Sequence, residues 1–273
     1  MELEKFSESI AGKSPATIKT YSAMYNKLRK LLDKDIAHAS QKKIIETAMS
    51  ETNLNSSQAL LNIGLMVRRM EDLNVDELEK QRKQNQIALA KHVKKKNIQL
   101  VDSLPSLKDL EDYTEDLYEN GKWKEYIINY LLLNYQVRNK DLVFTLVKRK
   151  MDATDPDKNY IWLRGKVATY IRRNYKTSST YGQLVHKIHD PKFVTAIRRM
   201  MALQKTGDGV FIPTESQAGY YIQKYTYQEL GESKYVKIVI DANRGDLQKL
   251  REISKNRATD INTLLESYDI KNV

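Results

Sequence analysis

The sequence predicts a mainly α-helical protein of two domains, the second carrying a small antiparallel β-sheet. Three observations predict this. Apolar residues recur at helical spacing along most of the 273 residues. A stretch dominated by charge, 75–97, separates two such groups. A single region, 159–188, has the Tyr, Ile, Val, Thr and Trp content and the alternation of strands. The domains are expected at 1–100, a small helical domain with its linker, and at 101–273.

The first helix expected opens at Ser14-Pro15, with Ser as N-cap and Pro in the first turn. Ile18, Tyr21, Met24, Tyr25, Leu28, Leu31 and Leu32 form its apolar stripe. A second helix runs from Ser40 to Met49 and buries Ile44, Ile45, Ala48 and Met49. A third follows Asn55-Ser56, with Ala59, Leu60, Ile63, Met66, Val67 and Met70 on one face and Arg68-Arg69 beside it. From Val75 to Asn97 the pattern is a solvated helix running into a linker. It ends in Lys91, Lys94, Lys95 and Lys96, which read equally as a charged helix end or as a strap along DNA phosphates. The domain boundary is expected at Asp102–Pro105.

Beyond it, Ser106 caps a helix with Leu107, Leu110, Tyr113 and Leu117 on one face, closed by Gly121. The next helix, Trp123–Tyr135, carries Ile127, Ile128, Leu131 and Leu132 and ends in a turn holding Arg138. Strands are expected at Asn159–Trp162, Val167–Arg172 and Leu184–Ile188, the last two joined by the turn Y-K-T-S-S-T-Y-G. Helices resume at Pro191–Met201, after Pro213, at Tyr235–Ala242 and at Leu247–Lys255. The final segment, Ile261–Ile270, contains Tyr268.

Composition narrows the function. With 46 Lys+Arg against 35 Asp+Glu, the net charge of +11 favours a polyanionic partner, most simply double-stranded DNA or another nucleic acid. The absence of cysteine excludes disulfides, thiolate metal sites and a cysteine nucleophile, and fits an intracellular protein. The four histidines, His38, His92, His186 and His189, form no H-E-x-x-H or similar pair, so no histidine metal site is expected. No Gly-rich phosphate loop suggests ATP hydrolysis. M-E-L-E-K-F lacks the features of a signal peptide, and no apolar run has the length of a membrane span, so no membrane partner is expected.

Cutting a DNA backbone without a metal or other cofactor makes specific demands. A tyrosine hydroxyl can attack phosphorus and stay attached. Its ordinary pKa is about 10, so cations must help it ionise. Charge growing on the phosphate oxygens needs fixed donors, best supplied by arginine forks. The departing 5′ oxygen needs a proton, which a lysine on a hairpin can supply.

The order of helical domain, linker, Arg in a turn, Lys in a hairpin, basic helix and terminal Tyr resembles the tyrosine recombinases, the phage integrases and their relatives. The first block is L-L-N-Y-Q-V-R-N-K-D-L, with Arg138, Asp141 and Leu142; the acidic residue is one place later than the family's. Lys176 in Y-K-T-S-S-T-Y-G resembles the hairpin lysine, Lys234 and Lys237 the His-x-x-Arg block, and Tyr268 in T-L-L-E-S-Y-D-I the nucleophile. The separations between Arg138, Lys237 and Tyr268 are close to the family's, and S-P-x-T-x-x-x-Y at the start of the helical domain is also similar. The likeness extends to divergent integrase-like proteins of large DNA viruses.

The resemblance implies a SAM-like helical DNA-binding domain, an α+β catalytic domain and a C-shaped clamp around duplex DNA. It implies strand cleavage and rejoining through a 3′-phosphotyrosyl link, without metal or ATP, by a homo-tetramer on paired sites. Arg138 and Lys237 would hold the phosphate, Lys234 would assist, Lys176 would protonate the leaving oxygen and Tyr268 would attack. Lys94, Lys95, Arg172 and Arg173 are expected to contact DNA. Three departures stand out. The second arginine is Lys237, unless Arg244 or Arg251 takes its place. The preceding histidine is Lys234. The later His or Trp falls on Thr259, with Arg257 a nearby substitute. Lysine cannot fork across two phosphate oxygens, and losing one such donor costs about 3 kcal/mol. Two alternatives therefore stand beside the recombinase: a weak or inactive DNA-binding protein of the same fold, and a monomeric nicking topoisomerase.

Overall fold

The computed structural model describes residues 2–100, 103–204 and 208–269. The chain divides into two compact units, Met1–Lys96 and Asn97–Val273. Of the expected boundary Asp102–Pro105, Asp102 lies outside the described residues.

The first unit is built from α1 (Glu2–Ile10), α2 (Pro15–Leu32), α3 (Gln41–Met49), α4 (Leu54–Met70) and most of α5 (Asp76–Leu100). Ser14, Ser40 and Asn53 start α2, α3 and α4 by accepting backbone N–H groups of the first turn. Helix α1 is an addition to the sequence reading. Phe6 and Ile10, one turn apart, are buried in it, and Phe6 stacks on Tyr25 at 4.5 Å. Glu2 is buried as well; its carboxylate accepts from the Tyr25 hydroxyl and from the backbone N–H groups of Ile36 and Ala37. Helix α5 is one continuous element of 25 residues, where a helix fading into a linker was expected. Leu78 is buried on it, and Asn85 donates to the Leu54 carbonyl at 3.1 Å. Lys91, Lys94, Lys95 and Lys96 are exposed on it.

In the second unit α6 (Leu107–Glu119) begins in a capping box made by Ser106 and Asp109. Next comes α7 (Trp123–Tyr135), which buries Tyr126, Ile127, Ile128, Asn129, Leu131 and Leu132. Burial on nearly all sides makes α7 the central helix. The sheet follows: β1 (Phe144–Val147), β2 (Asn159–Arg164), β3 (Val167–Arg172) and β4 (Leu184–Ile188), with α8 (Ser178–Tyr181) between the last two strands. Strand order is β1-β2-β3-β4. The three expected strands pair antiparallel, and the unexpected strand β1 makes the sheet mixed by running parallel to β2, with Phe144 opposite Asn159. The β2–β3 and β3–β4 pairs are antiparallel. The chain between Val147 and Asn159 returns to the start of the sheet before pairing, which is what a parallel neighbour requires.

On its other side β1 bonds to the segment around Gly209: Leu146 N–H donates to the Gly209 carbonyl at 2.8 Å and Phe211 N–H to the Phe144 carbonyl at 2.9 Å. Gly209 has φ 75°, and a Cβ there would lie 2.5 Å from the Leu146 oxygen, so the close pairing excludes any side chain. The helices that complete the unit are α9 (Pro191–Leu203), α10 (Glu215–Tyr225), α11 (Gly231–Ala242), α12 (Leu247–Arg257) and α13 (Ile261–Tyr268). The main core includes Leu131, Phe144, Tyr170, Phe193, Phe211 and Tyr235. A second cluster, Val236, Val239, Ile240, Leu250, Ile253 and Leu264, has Tyr268 packed against it. Helices α11 and α12 extend beyond their expected ends, to Gly231 and to Arg257 respectively, and both extensions carry residues of the site below.

Candidate functional site

Helix α7 ends where Gln136 takes a left-handed conformation, φ 44° and ψ 44°. The chain then turns sharply, and Arg138 leaves in an extended conformation. Its N–H donates to Asp141 Oδ2 at 2.8 Å. Asp141 is buried and pairs with Arg172 Nη1 at 3.1 Å, both side chains having 0% exposure. Arg172 Nη2 also contacts the Asn256 carbonyl at 2.6 Å and His186 Nε2 at 2.8 Å. This buried network ties the Arg138 turn to β3, β4 and α12. It holds the backbone of that turn through the Arg138 N–H.

Arg257 is the last residue of α12 and is 1% exposed. Arg138 Nη1 donates to the Arg257 carbonyl at 2.5 Å. Arg257 Nη1 donates to the Gln136 carbonyl at 2.8 Å, and Nη2 to Glu232 Oε1 at 2.9 Å and to the Tyr268 hydroxyl at 2.8 Å. Left-handed Ala258 then reverses the chain, Asp260 caps α13, and α13 carries Tyr268 back over Arg257. The guanidinium carbon lies 4.8 Å from the centre of the Tyr268 ring. Burial, and then the positive charge of Arg257, lower the Arg138 pKa from the usual arginine value. An arginine stays protonated regardless, so the Arg138 and Arg257 guanidinium groups share this corner of the unit with the carboxylates of Asp141 and Glu232. Glu232 Oε2 also accepts the Asn139 N–H at 3.3 Å.

Lys176 is exposed in the β3–β4 connection, and the next residue, Thr177, donates its hydroxyl to the Ala258 carbonyl at 2.7 Å. The lysine loop is therefore pinned to the turn that follows Arg257. Lys237 points elsewhere: its Nζ donates to Asn97 Oδ1 at 2.7 Å. On α11, Lys237 and Glu232 are about 140° apart round the helix. Burial and then Lys234 lower the Lys237 pKa, as befits two lysines one turn apart. The cation on the Tyr268 hydroxyl is Arg257.

Arg172 does not have the surface a DNA contact needs, because Asp141, His186 and the Asn256 carbonyl enclose it. Arg173 is half-buried and clamps a loop, with Nη1 on the Ala153 and Asp155 carbonyls and Nε on Gln183. Lys94 and Lys95 are exposed. Glu232 has no sequence signal, since its role depends on where α12 ends. Arg257 had one, as the last basic residue before A-T-D, but its left-handed successor Ala258 could not be read.

His186 supplies a stability prediction. Because Arg172 donates to its Nε2, that nitrogen accepts and Nδ1 carries the proton. Burial, and then Arg172, depress its pKa from 6.5 to about 4. Between those values the unfolded chain takes up a proton that the folded chain refuses, so stability falls as pH drops through the window. The loss is on the order of 2–3 kcal/mol. Urea unfolding at neutral pH and near the lower pKa should show a smaller difference in His186→Gln than in the wild type. Equal differences would mean that His186 is charged in the folded state.

No protein-family model matches this chain, and no curated protein does. Among solved structures, one described as the crystal structure of XerA recombinase is similar with a TM-score of 0.41 and 12% identity, over 99% of this chain and 94% of that one.

Proposed function

We propose that the chain binds double-stranded DNA and breaks and rejoins one strand through Tyr268. The observation that carries this reading is the Arg257 guanidinium donating to the Tyr268 hydroxyl with Arg138 alongside. A guanidinium on the phenol oxygen favours the charge it acquires on losing its proton. The hydroxyl releases its proton to solvent, the phenolate attacks phosphorus, the bond to the 5′ oxygen breaks, and Lys176 gives that oxygen its proton. The product is a 3′-phosphotyrosyl link and a free 5′-hydroxyl; attack by that hydroxyl reverses the step. Arg138 and Arg257 stabilise the equatorial oxygens. The helical unit with Lys94 and Lys95 supplies phosphate contacts, which position the duplex without reading its sequence.

A nicked duplex that releases a short oligonucleotide after cleavage tests this. A covalent protein–DNA adduct should form, and Tyr268→Phe should abolish it while leaving DNA binding intact. An adduct that survives in Tyr268→Phe would overturn the nucleophile. A second reading, a DNA-binding protein without cleavage, is favoured by Lys237 lying on Asn97. It predicts salt-sensitive binding and no adduct on any duplex.

A further inference from the structure

The Arg257 guanidinium is needed by the phosphate, yet its exposure is 1%. One of the groups covering it is an anion. Glu232 Oε1 holds Arg257 Nη2 at 2.9 Å, and Oε2 accepts the Asn139 N–H at 3.3 Å from the turn that also carries Arg138. Two oxygens of one carboxylate thus span a guanidinium and a backbone N–H, the donor types that hold a phosphate. The Glu232 side chain retains 20% exposure, so it has an open side. Arg257 Nε is buried without a partner, which leaves a donor unused. We propose that Glu232 is an internal stand-in for the substrate phosphate. It occupies the anion position between Arg257 and Asn139 and must swing out before a phosphodiester can reach Arg257. Glu232 is a positioning residue that keeps the resting site closed to free anions. Only a ligand that also engages Arg138 and the surrounding DNA contacts displaces it.

This inference rests on the phosphate assignment above, and its test does not use cleavage. Binding of inorganic phosphate is measured by thermal shift and by calorimetry on the full chain. Glu232→Gln removes the competing charge and should bind phosphate about tenfold more tightly than the wild type. Adding Arg138→Met to Glu232→Gln should remove that gain. Glu232→Asp, one carbon shorter, should give a smaller gain and serves as the test if Glu232→Gln does not fold. Unchanged phosphate affinity in a folded variant would overturn the proposal and leave Glu232 as a plain counter-ion. A gain that persists without Arg138 would also overturn it, since the anion would then sit elsewhere. A tenfold gain with no covalent adduct on any duplex keeps the anion site and rejects the cleavage reading. An adduct in the wild type with no gain in phosphate affinity does the reverse.

Discussion

On the proposed reaction, Arg257→Lys is expected to reduce formation of the covalent adduct by about 10²–10³-fold, the cost of one misplaced transition-state donor. Lys237→Ala leaves it within about threefold, a change of less than 1 kcal/mol. Arg257 holds the Gln136 carbonyl with one terminal nitrogen and both Glu232 and Tyr268 with the other. Lysine keeps the charge but offers a single ammonium, which cannot sit in both places. Lys237 is engaged with Asn97 on another face of α11, so its loss removes nothing from the Tyr268 hydroxyl. Adduct yield from a nicked duplex, measured with thermal unfolding to confirm that each variant is folded, separates the two. A larger loss in Lys237→Ala than in Arg257→Lys would make Lys237 the second phosphate clamp and overturn the role proposed for Arg257.

Arg172→Leu destabilises the second unit by about 3–5 kcal/mol, because it leaves the Asp141 carboxylate buried beside no cation. For a unit of this size that is a fall in melting temperature of about 6–20 °C. Asp141 accepts from the Arg138 N–H as well as from Arg172, so the loss loosens the turn that aims Arg138. Arg172→Leu combined with Asp141→Asn should recover part of the stability, since no unpaired charge remains. A phosphate contact would behave in the opposite way, with weaker, less salt-sensitive DNA binding and an unchanged melting temperature. Thermal unfolding of the two single variants and the double variant decides between them.

Local signals were legible where they depend on neighbours in sequence. Ser14, Ser40 and Ser106 start helices because a side-chain oxygen reaches a backbone N–H within the same turn. The stripes of α2, α4 and α6 repeat every turn, and the Val167–Arg172 and Leu184–Ile188 strands carry β-branched and aromatic residues. Helix α1 was missed although Phe6 and Ile10 had the right spacing, because no Ser, Thr, Asp or Asn stands before Glu2 to mark a helix start as Ser40 does for α3. Strand β1 was not legible at all: its four residues are too few to show alternation, and its pairing is with β2 and the Gly209 segment, both distant in sequence.

The sequence by itself determined the mainly helical class, the place of Arg138 after α7, the lysine loop after β3 and a tyrosine in the last described helix. Only the tertiary structure decided which basic residue meets that tyrosine. Arg172, Arg173, Lys237 and Arg257 look alike as letters, because a cation's role is set by what surrounds it. Arg172 is enclosed by Asp141, His186 and a carbonyl, Arg173 clamps a loop, and Lys237 is turned toward Asn97. Arg257 reaches Tyr268 because Ala258, with φ 46°, folds α13 back across the end of α12. That reversal depends on one backbone angle at a residue whose type does not ask for it, and so on packing that no short stretch of sequence contains.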